Sequence, residues 1–299
     1  MMTTSRAACV LLAGLFPAMA GADPGAFFDY GADITYQSDD NQTRAEATRD
    51  KVEDQSVLVS GTISKDFQPS FRQLLTFRGF AEIERFDDID TLDRNSLGLS
   101  AAWRWQPDSS FLAPIFEVSL SYQDDDIETD ARDSGVTRAQ AFVTRRITDR
   151  LTGTLGLEHR KRDSDGSVWD LEDSRWFMNL DLMVNRHGAA YFTFSRISGD
   201  TFSSAQFQFC NGATAPGELI GLIDGSTALE PDEAYNNALC GDWIAYRLDA
   251  TSSIFTLGYN HGFSHTLSLD ASVTEAQVRG ENDNEYDRRL FRVTLLKRF

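Results

Sequence analysis

The last nine residues, 291–299, alternate without a break. Phe291, Val293, Leu295, Lys297 and Phe299 fall on one side of an extended chain, and Arg292, Thr294, Leu296 and Arg298 fall on the other. A period of two is what a β-strand between two environments requires. The pattern recurs along the chain and constrains the fold more than any other feature. Strands are expected at 26–37, 56–66, 72–85, 95–105, 115–123, 135–147, 151–160, 174–185, 189–198, 250–260, 265–278 and 288–299. In the fourth, Leu97, Leu99, Ala101, Trp103 and Trp105 alternate with Gly98, Ser100, Ala102 and Arg104. Pro114 has no N–H for a ladder, so the fifth starts at Ile115.

Connections after odd-numbered strands are long and acidic, as in 38–55, 86–93 and 124–133, whereas those after even-numbered strands are short. Mean hydropathy is −0.35, and no helix-length apolar run follows the N-terminal segment. A barrel that spans a membrane escapes that hydropathy test, because only alternate residues face lipid. Closure is required, since an open sheet edge in lipid leaves unpaired backbone groups. The fold expected is all-β: a transmembrane, up-and-down, antiparallel β-barrel of twelve strands with both termini in the periplasm. Charge placement agrees. Lys65, Arg145 and Lys297 interrupt the outward rows at periplasmic strand ends, and Arg85, His159 and Arg196 do so at extracellular ends. At mid-bilayer a Lys or Arg would cost about 2–4 kcal/mol. Trp103, Trp105 and Phe299 suit the inner aromatic girdle, and Tyr36, Tyr122 and Trp176 the outer.

At the other end of the chain, Arg6, the apolar run 7–16 and Ala18-Met19-Ala20 or Ala20-Gly21-Ala22 read as a cleavable export signal over 1–22. Cys9 would leave with it. A single barrel domain over 23–299 is expected, with a long extracellular loop at about 199–249. A strand that runs to a terminal Phe299, in a chain with an export signal, resembles the last strand of Gram-negative outer-membrane β-barrels. In that family this segment is read by the barrel-assembly machinery. The segments ITDRLTGTLGLEHRKRDSD (147–165) and NEYDRRLFRVTLLKRF (284–299) also resemble repeats in largely uncharacterised β-barrel porins of proteobacteria. The resemblance implies residence in the outer membrane after export through the periplasm, in contact with its lipid and lipopolysaccharide. The long cysteine-bearing segment departs from that pattern.

The chain carries 28 Lys plus Arg against 46 Asp plus Glu, a net charge of −18, which becomes −19 once Arg6 is removed. Nucleic-acid binding is not expected without a basic footprint. Cys210 and Cys240 remain after processing and are expected to pair in the oxidising periplasm. No Cys-x-x-Cys spacing or adjacent His points to a metal or redox pair.

No catalytic residue set, metal site or cofactor is expected, and the chain is not read as an enzyme. A lipid-acting hydrolase would need a Ser–His pair on adjacent strands and a third group orienting the His. His187, His261 and His265 lie in or beside periplasmic turns. His159 stands at a suitable height, but Glu158 points to the opposite face. The run Asp124, Asp125, Asp126, Glu128 and Asp130 reads either as solvated loop or as carboxylates bridged by divalent cations to lipopolysaccharide phosphates.

The inward rows supply the candidate site. Arg78, Glu82, Arg104, Glu117, Arg138, Arg146, Glu158, Arg175, Asp181 and Arg292 are the expected pore-lining residues, narrowed by Phe80, Phe142, Phe177 and Tyr191. Twelve strands leave an interior between a filled eight-strand barrel and an open sixteen-strand porin. The function expected is a monomeric, porin-like channel for small polar solutes, biased to anions by its arginines. The alternative is a non-conducting surface scaffold or adhesin that binds a partner through the disulfide-tied loop.

Overall fold

The computed structural model describes residues 28–214, 216–280 and 284–299. The export-signal segment, 1–22, lies outside the described residues. Thirteen strands form one antiparallel sheet: β1 (Asp29–Asp39), β2 (Asp54–Ser70), β3 (Gln73–Phe86), β4 (Arg94–Trp105), β5 (Ile115–Ile127), β6 (Ser134–Arg146), β7 (Leu151–Ser164), β8 (Leu171–Met183), β9 (Gly188–Gln208), β10 (Ala228–Pro231), β11 (Asp242–Gly262), β12 (Leu267–Gly280) and β13 (Glu285–Arg298). Neighbours pair in chain order. The sheet closes where β1 pairs with β13, from Gly31↔Arg298 to Asp39↔Leu290. β10 stands outside this circuit, because β9 pairs directly with β11. The result is a closed twelve-stranded barrel with one extra strand.

The outward rows are apolar and uncovered. Leu99 is 69% exposed and Leu257 66%, in company with Ile34, Val57, Ile83, Val118, Leu120 and Leu157. Large aliphatic side chains left bare all round a sheet make sense only against lipid. Trp105 stacks on Phe116 at 5.4 Å at the end of the short turns. Inward rows are polar and cross-linked. Thr35–Thr294, Thr144–Thr154 and Thr256–Thr274 pair hydroxyl to hydroxyl at 2.8–2.9 Å. Two inward glycines make room for lumen aromatics. A Cβ at Gly98 would stand 2.1 Å from the Phe80 ring, and one at Gly156 would stand 2.3 Å from Phe177. Introducing Leu99→Arg on the lipid face should destabilise the barrel by about 2–4 kcal/mol. Ser100→Arg, one residue along but facing the lumen, should cost far less. Urea unfolding in lipid vesicles measures both.

The 199–249 segment is not the simple loop expected. β9 runs on to Gln208 and β11 begins at Asp242, so the two strands rise as a hairpin well past the apolar belt. Gly199, at φ +131°, marks the point where β9 turns from barrel wall to hairpin. Residues 201–205 are all buried, so both strand faces are covered and the period-two signal vanishes. The acidic run 124–133 is likewise corrected, since 124–127 belong to β5. Asp124, Asp125 and Asp126 put acidic side chains on both faces of β5, so alternation no longer marks the strand there.

Candidate functional site: a polar lumen under a folded cap

Short 3₁₀ turns punctuate the long connections at Thr48–Asp50, Asp90–Leu92, Asp130–Arg132 and Ser167–Trp169. The acidic residues there are structural. Asp93, Asp133 and Asp170 each accept a backbone N–H from the end of the preceding strand, from Phe86 (2.8 Å), Ile127 (2.7 Å) and Ser164 (2.6 Å). Burial pushes the Asp93 and Asp133 carboxyls up from their ordinary values, against the pull of those hydrogen bonds. Backbone bonds Asp87→Gln55, Glu128→Asp93 and Asp165→Asp133 join successive connections into a rim.

The β9–β11 excursion lies across this rim as a cap, carrying α1 (Pro216–Ile223), β10 and α2 (Glu233–Ala238). It touches each of the other five connections at this end of the barrel. Ser204 N–H donates to the Thr43 carbonyl (2.9 Å) and Ser203 Oγ to that of Arg44 (2.7 Å). Thr91 Oγ1 donates to the Ala234 carbonyl (2.8 Å). Arg132 Nη2 meets both carboxylate oxygens of Asp232 (2.8 and 2.9 Å), and Ser204 Oγ donates to the second at 2.5 Å. Ser167 donates to Glu230 (2.8 and 2.5 Å), and Asn284 Nδ2 donates to the Tyr246 hydroxyl at 3.3 Å. Only a segment spanning the mouth can reach all five.

The main hydrophobic clusters sit at this interface. Ile89 and Leu92 pack on Ala234, Tyr235 and Trp243. Val168, Trp169 and Leu171 pack on Phe202 and Ala245. Trp169, Tyr235 and Tyr246 are fully buried. At roughly 25 cal/mol per Å² and 150–250 Å² for each aromatic, each burial contributes up to about 4–6 kcal/mol. The cap is therefore a folded element. Burial raises the Tyr235 phenol above its ordinary value, and burial, then Arg288, pull the Arg44 guanidinium down to about 10.

Cys210 and Cys240, 30 residues apart, are joined just beyond the outer ends of β9 and β11 and close the segment that carries α1, β10 and α2. In the chain-entropy model a loop of that length contributes about 3–4 kcal/mol. Reduction should therefore expose 211–239 to protease while the barrel stays folded, with cleavage sites read by mass spectrometry. Equal cleavage with and without reductant would show that the bridge does not hold the cap.

Below the cap, a cavity of about 480 Å³ is lined by Arg78, Glu82, Arg104, Glu117, Arg138 and Glu158, together with Phe80 and small polar residues. A second, of about 300 Å³, is lined by Glu82, Arg94, Gln123, Asp125, Val136, Arg138, Arg160 and Arg162. Six of the ten expected residues thus meet at the first cavity. The other four do not line it. Arg175 donates to Ser195 Oγ (3.1 Å) and lies 4.0 Å from Glu158. Asp181 accepts from Asn179 (2.5 Å), and Arg292 donates to Gln37 (2.6 Å). Arg146 sits over the Phe111 ring beside the β4–β5 turn. Sequence reasoning missed Arg94, Asp125 and Arg162. Counting β7 two residues past Arg160 would have found Arg162.

The charges in this wall are unevenly paired. Arg104 has Glu117 (2.8 Å), Arg94 has Glu82, Glu84 and Asp125, and Arg160 has Asp173. Arg162 donates to neutral oxygens, Ser134 Oγ and the Arg132 carbonyl. Among the described residues Arg78 and Arg138 have no carboxylate partner. Direct cross-strand pairing links Arg78, Ser100, Ser121, Arg138 and Arg160 in one row. Arg78 lies five residues from the start of β3, at the short-turn end, and Arg160 nine from that of β7, so the row climbs the wall. No group of His, Cys, Asp and Glu able to hold a metal ion occurs among the described residues.

No family model matches the chain, and no curated protein matches it in sequence. Among solved structures it is similar to an outer-membrane channel from Pseudomonas putida F1, at TM-score 0.55 and 10% identity over 93% of this chain and 100% of that one. It is more distantly similar to the KdgM porin, at TM-score 0.42 and 9% identity over 90% and 99% of the two chains. For the NanC porin the values are 0.44, 9%, 88% and 99%. At TM-score 0.55 and 10% identity, the likeness to the first establishes a shared β-barrel fold and nothing of the solute.

Proposed function

We propose that this chain is an outer-membrane channel for small polar, anionic solutes, held shut at its extracellular mouth by the folded cap. The observation that carries the reading is the climbing arginine row beside the polar cavity, with Arg78 and Arg138 free of acidic partners. A guanidinium without a carboxylate is free to replace part of an anion's hydration shell. Neighbouring residues in the row are serines, which donate without adding charge. The cap explains how such a lumen is kept from passing solute indiscriminately.

Planar-bilayer recording tests this. Full-length refolded protein should give rare stepwise openings. Removing 205–245 leaves Ser204 and Tyr246 as near neighbours across the β9–β11 pair, so a short turn can rejoin them. That variant should conduct steadily, and silence from it, folded, would sink the channel reading. The scaffold alternative draws on Phe207, Ile220 and Leu229, which the cap leaves exposed. Partner binding lost with 205–245, in a variant whose conductance is that of the full chain, would favour it.

A further inference from the structure

The outer wall of β7, β8 and β9 changes chemistry at the top of the apolar belt. Leu157 faces Trp176 across β7 and β8, and both are uncovered. One row higher, His159 faces Ser174, and Ser174 faces Ser198 of β9. His159 Nδ1 lies 3.2 Å from Ser174 Oγ, and His159 Nε2 lies 3.6 Å from Glu172 Oε1. One imidazole thus stands between a hydroxyl and a carboxylate, with a separate ring nitrogen for each. Lys161 faces Glu172 in the register, but its ammonium pairs with Asp163 at 2.6 Å, which leaves the carboxylate to the imidazole. These groups touch no lumen residue used above, since they occupy the opposite face of the strands.

Isolated surface Ser–His contacts are common and mean little. Here the contact has a third member, and it lies where the outward row passes from Leu157 and Trp176 to polar residues. That is the depth at which ester carbonyls of membrane amphiphiles sit, with their acyl chains against the belt below. His159 is 52% and Glu172 59% exposed, so an ester can approach from outside the barrel. Arg196 pairs with Trp176 and is therefore diagonal to Ser174. Diagonal neighbours are about 7–8 Å apart, within reach of a long side chain.

We propose that Ser174, His159 and Glu172 form a nucleophile, general base and positioning carboxylate for hydrolysis of acyl esters in the surrounding lipid. With the imidazole hydrogen on Nε2, facing Glu172, Nδ1 is the free base. Ser174 Oγ adds to the ester carbonyl carbon and its proton passes to Nδ1. The carbon–oxygen bond to the alcohol breaks, and the alcohol leaves with that proton. A water then adds to the acyl carbon while giving a proton to Nδ1, and the bond to Oγ breaks. The acid departs and the proton returns to Ser174. Arg196 supplies positive charge for the oxyanion formed in each addition.

The test uses the full chain, folded in detergent micelles, with a medium-chain p-nitrophenyl ester and a fluorophosphonate probe. The expected result is ester turnover and a covalent adduct on Ser174 found by mass spectrometry. Ser174→Ala should lose both, and His159→Asn should lower turnover about 100-fold or more, the scale of a general base. Glu172→Gln should weaken turnover and Glu172→Asp should restore part of it, which a merely structural carboxylate would not require. Ser198→Ala, the next residue along the same row, should keep turnover and adduct. Folded protein with no adduct at Ser174, or turnover that survives Ser174→Ala, overturns the proposal. Conductance is measured separately and does not depend on either outcome.

Discussion

Asp232→Ala should unlatch the cap and raise the open fraction of the channel more than 100-fold. Asp232 is fully buried and is held by Arg132 through both oxygens and by Ser204. Arg132 is enclosed in turn, its guanidinium 4.8 Å from the Trp169 ring and 5.5 Å from that of Tyr235. Deleting the carboxylate strands a cation in an apolar interface, at about 3–5 kcal/mol. At 1.4 kcal/mol per tenfold, the lower end of that range already exceeds a factor of 100. The penalty falls on the closed state alone if the cap leaves as a unit, because Arg132 stays on the rim and becomes hydrated. Two readouts follow: more frequent openings in bilayer recordings, and faster proteolysis within 211–239. The paired replacement Arg132→Met with Asp232→Leu fills the same space without charge and should restore closure. If Asp232→Ala leaves both current and proteolysis at wild-type levels, the buried pair does not hold the mouth.

The membrane-spanning part of this architecture was legible because lipid and lumen impose opposite demands on successive residues. Leu97, Leu99, Ala101 and Trp103 against Gly98, Ser100, Ala102 and Arg104 could be nothing else. The cap was not legible, for the same physical reason inverted. Thr201 to Ala205 are buried on both faces and carry no alternation. Ile89, Leu92, Val168 and Trp169, four of the ten residues in the two interface clusters, are apolar residues set in acidic connections, and their partners, Tyr235 and Trp243 for the first two and Phe202 and Ala245 for the others, lie elsewhere along the chain. Carboxylates such as Asp93 and Asp170 look like solvated loop until the backbone N–H each one accepts is seen. In the lumen, parity alone found Arg78 and Arg138. Which arginines lack an acid depended on register between strands, and no single strand reveals that. His159 and Ser174 show the same limit: they are 15 positions apart and meet only through the β7–β8 pairing.

Reversing two of the lumen charges should invert ion selectivity without unfolding the barrel. Arg78→Glu with Arg138→Glu changes the wall of the larger cavity by four charges, since each site goes from +1 to −1. Neither change orphans a carboxylate, because neither arginine has one. Arg94→Glu differs in kind: it would set a fourth acid against Glu82, Glu84 and Asp125, and should destabilise the fold. The double variant is best read with 205–245 removed, so that current is plentiful, in a tenfold salt gradient. The parent should show a reversal potential of the sign expected for anion preference, and the variant the opposite sign. The effect should shrink at 1 M salt, where the screening length falls to about 3 Å, and grow toward 0.1 M, where it is about 10 Å. A reversal potential that keeps its sign, in protein that still migrates as a folded barrel, would move the selecting charges away from the row that begins at Arg78 and climbs past Arg138.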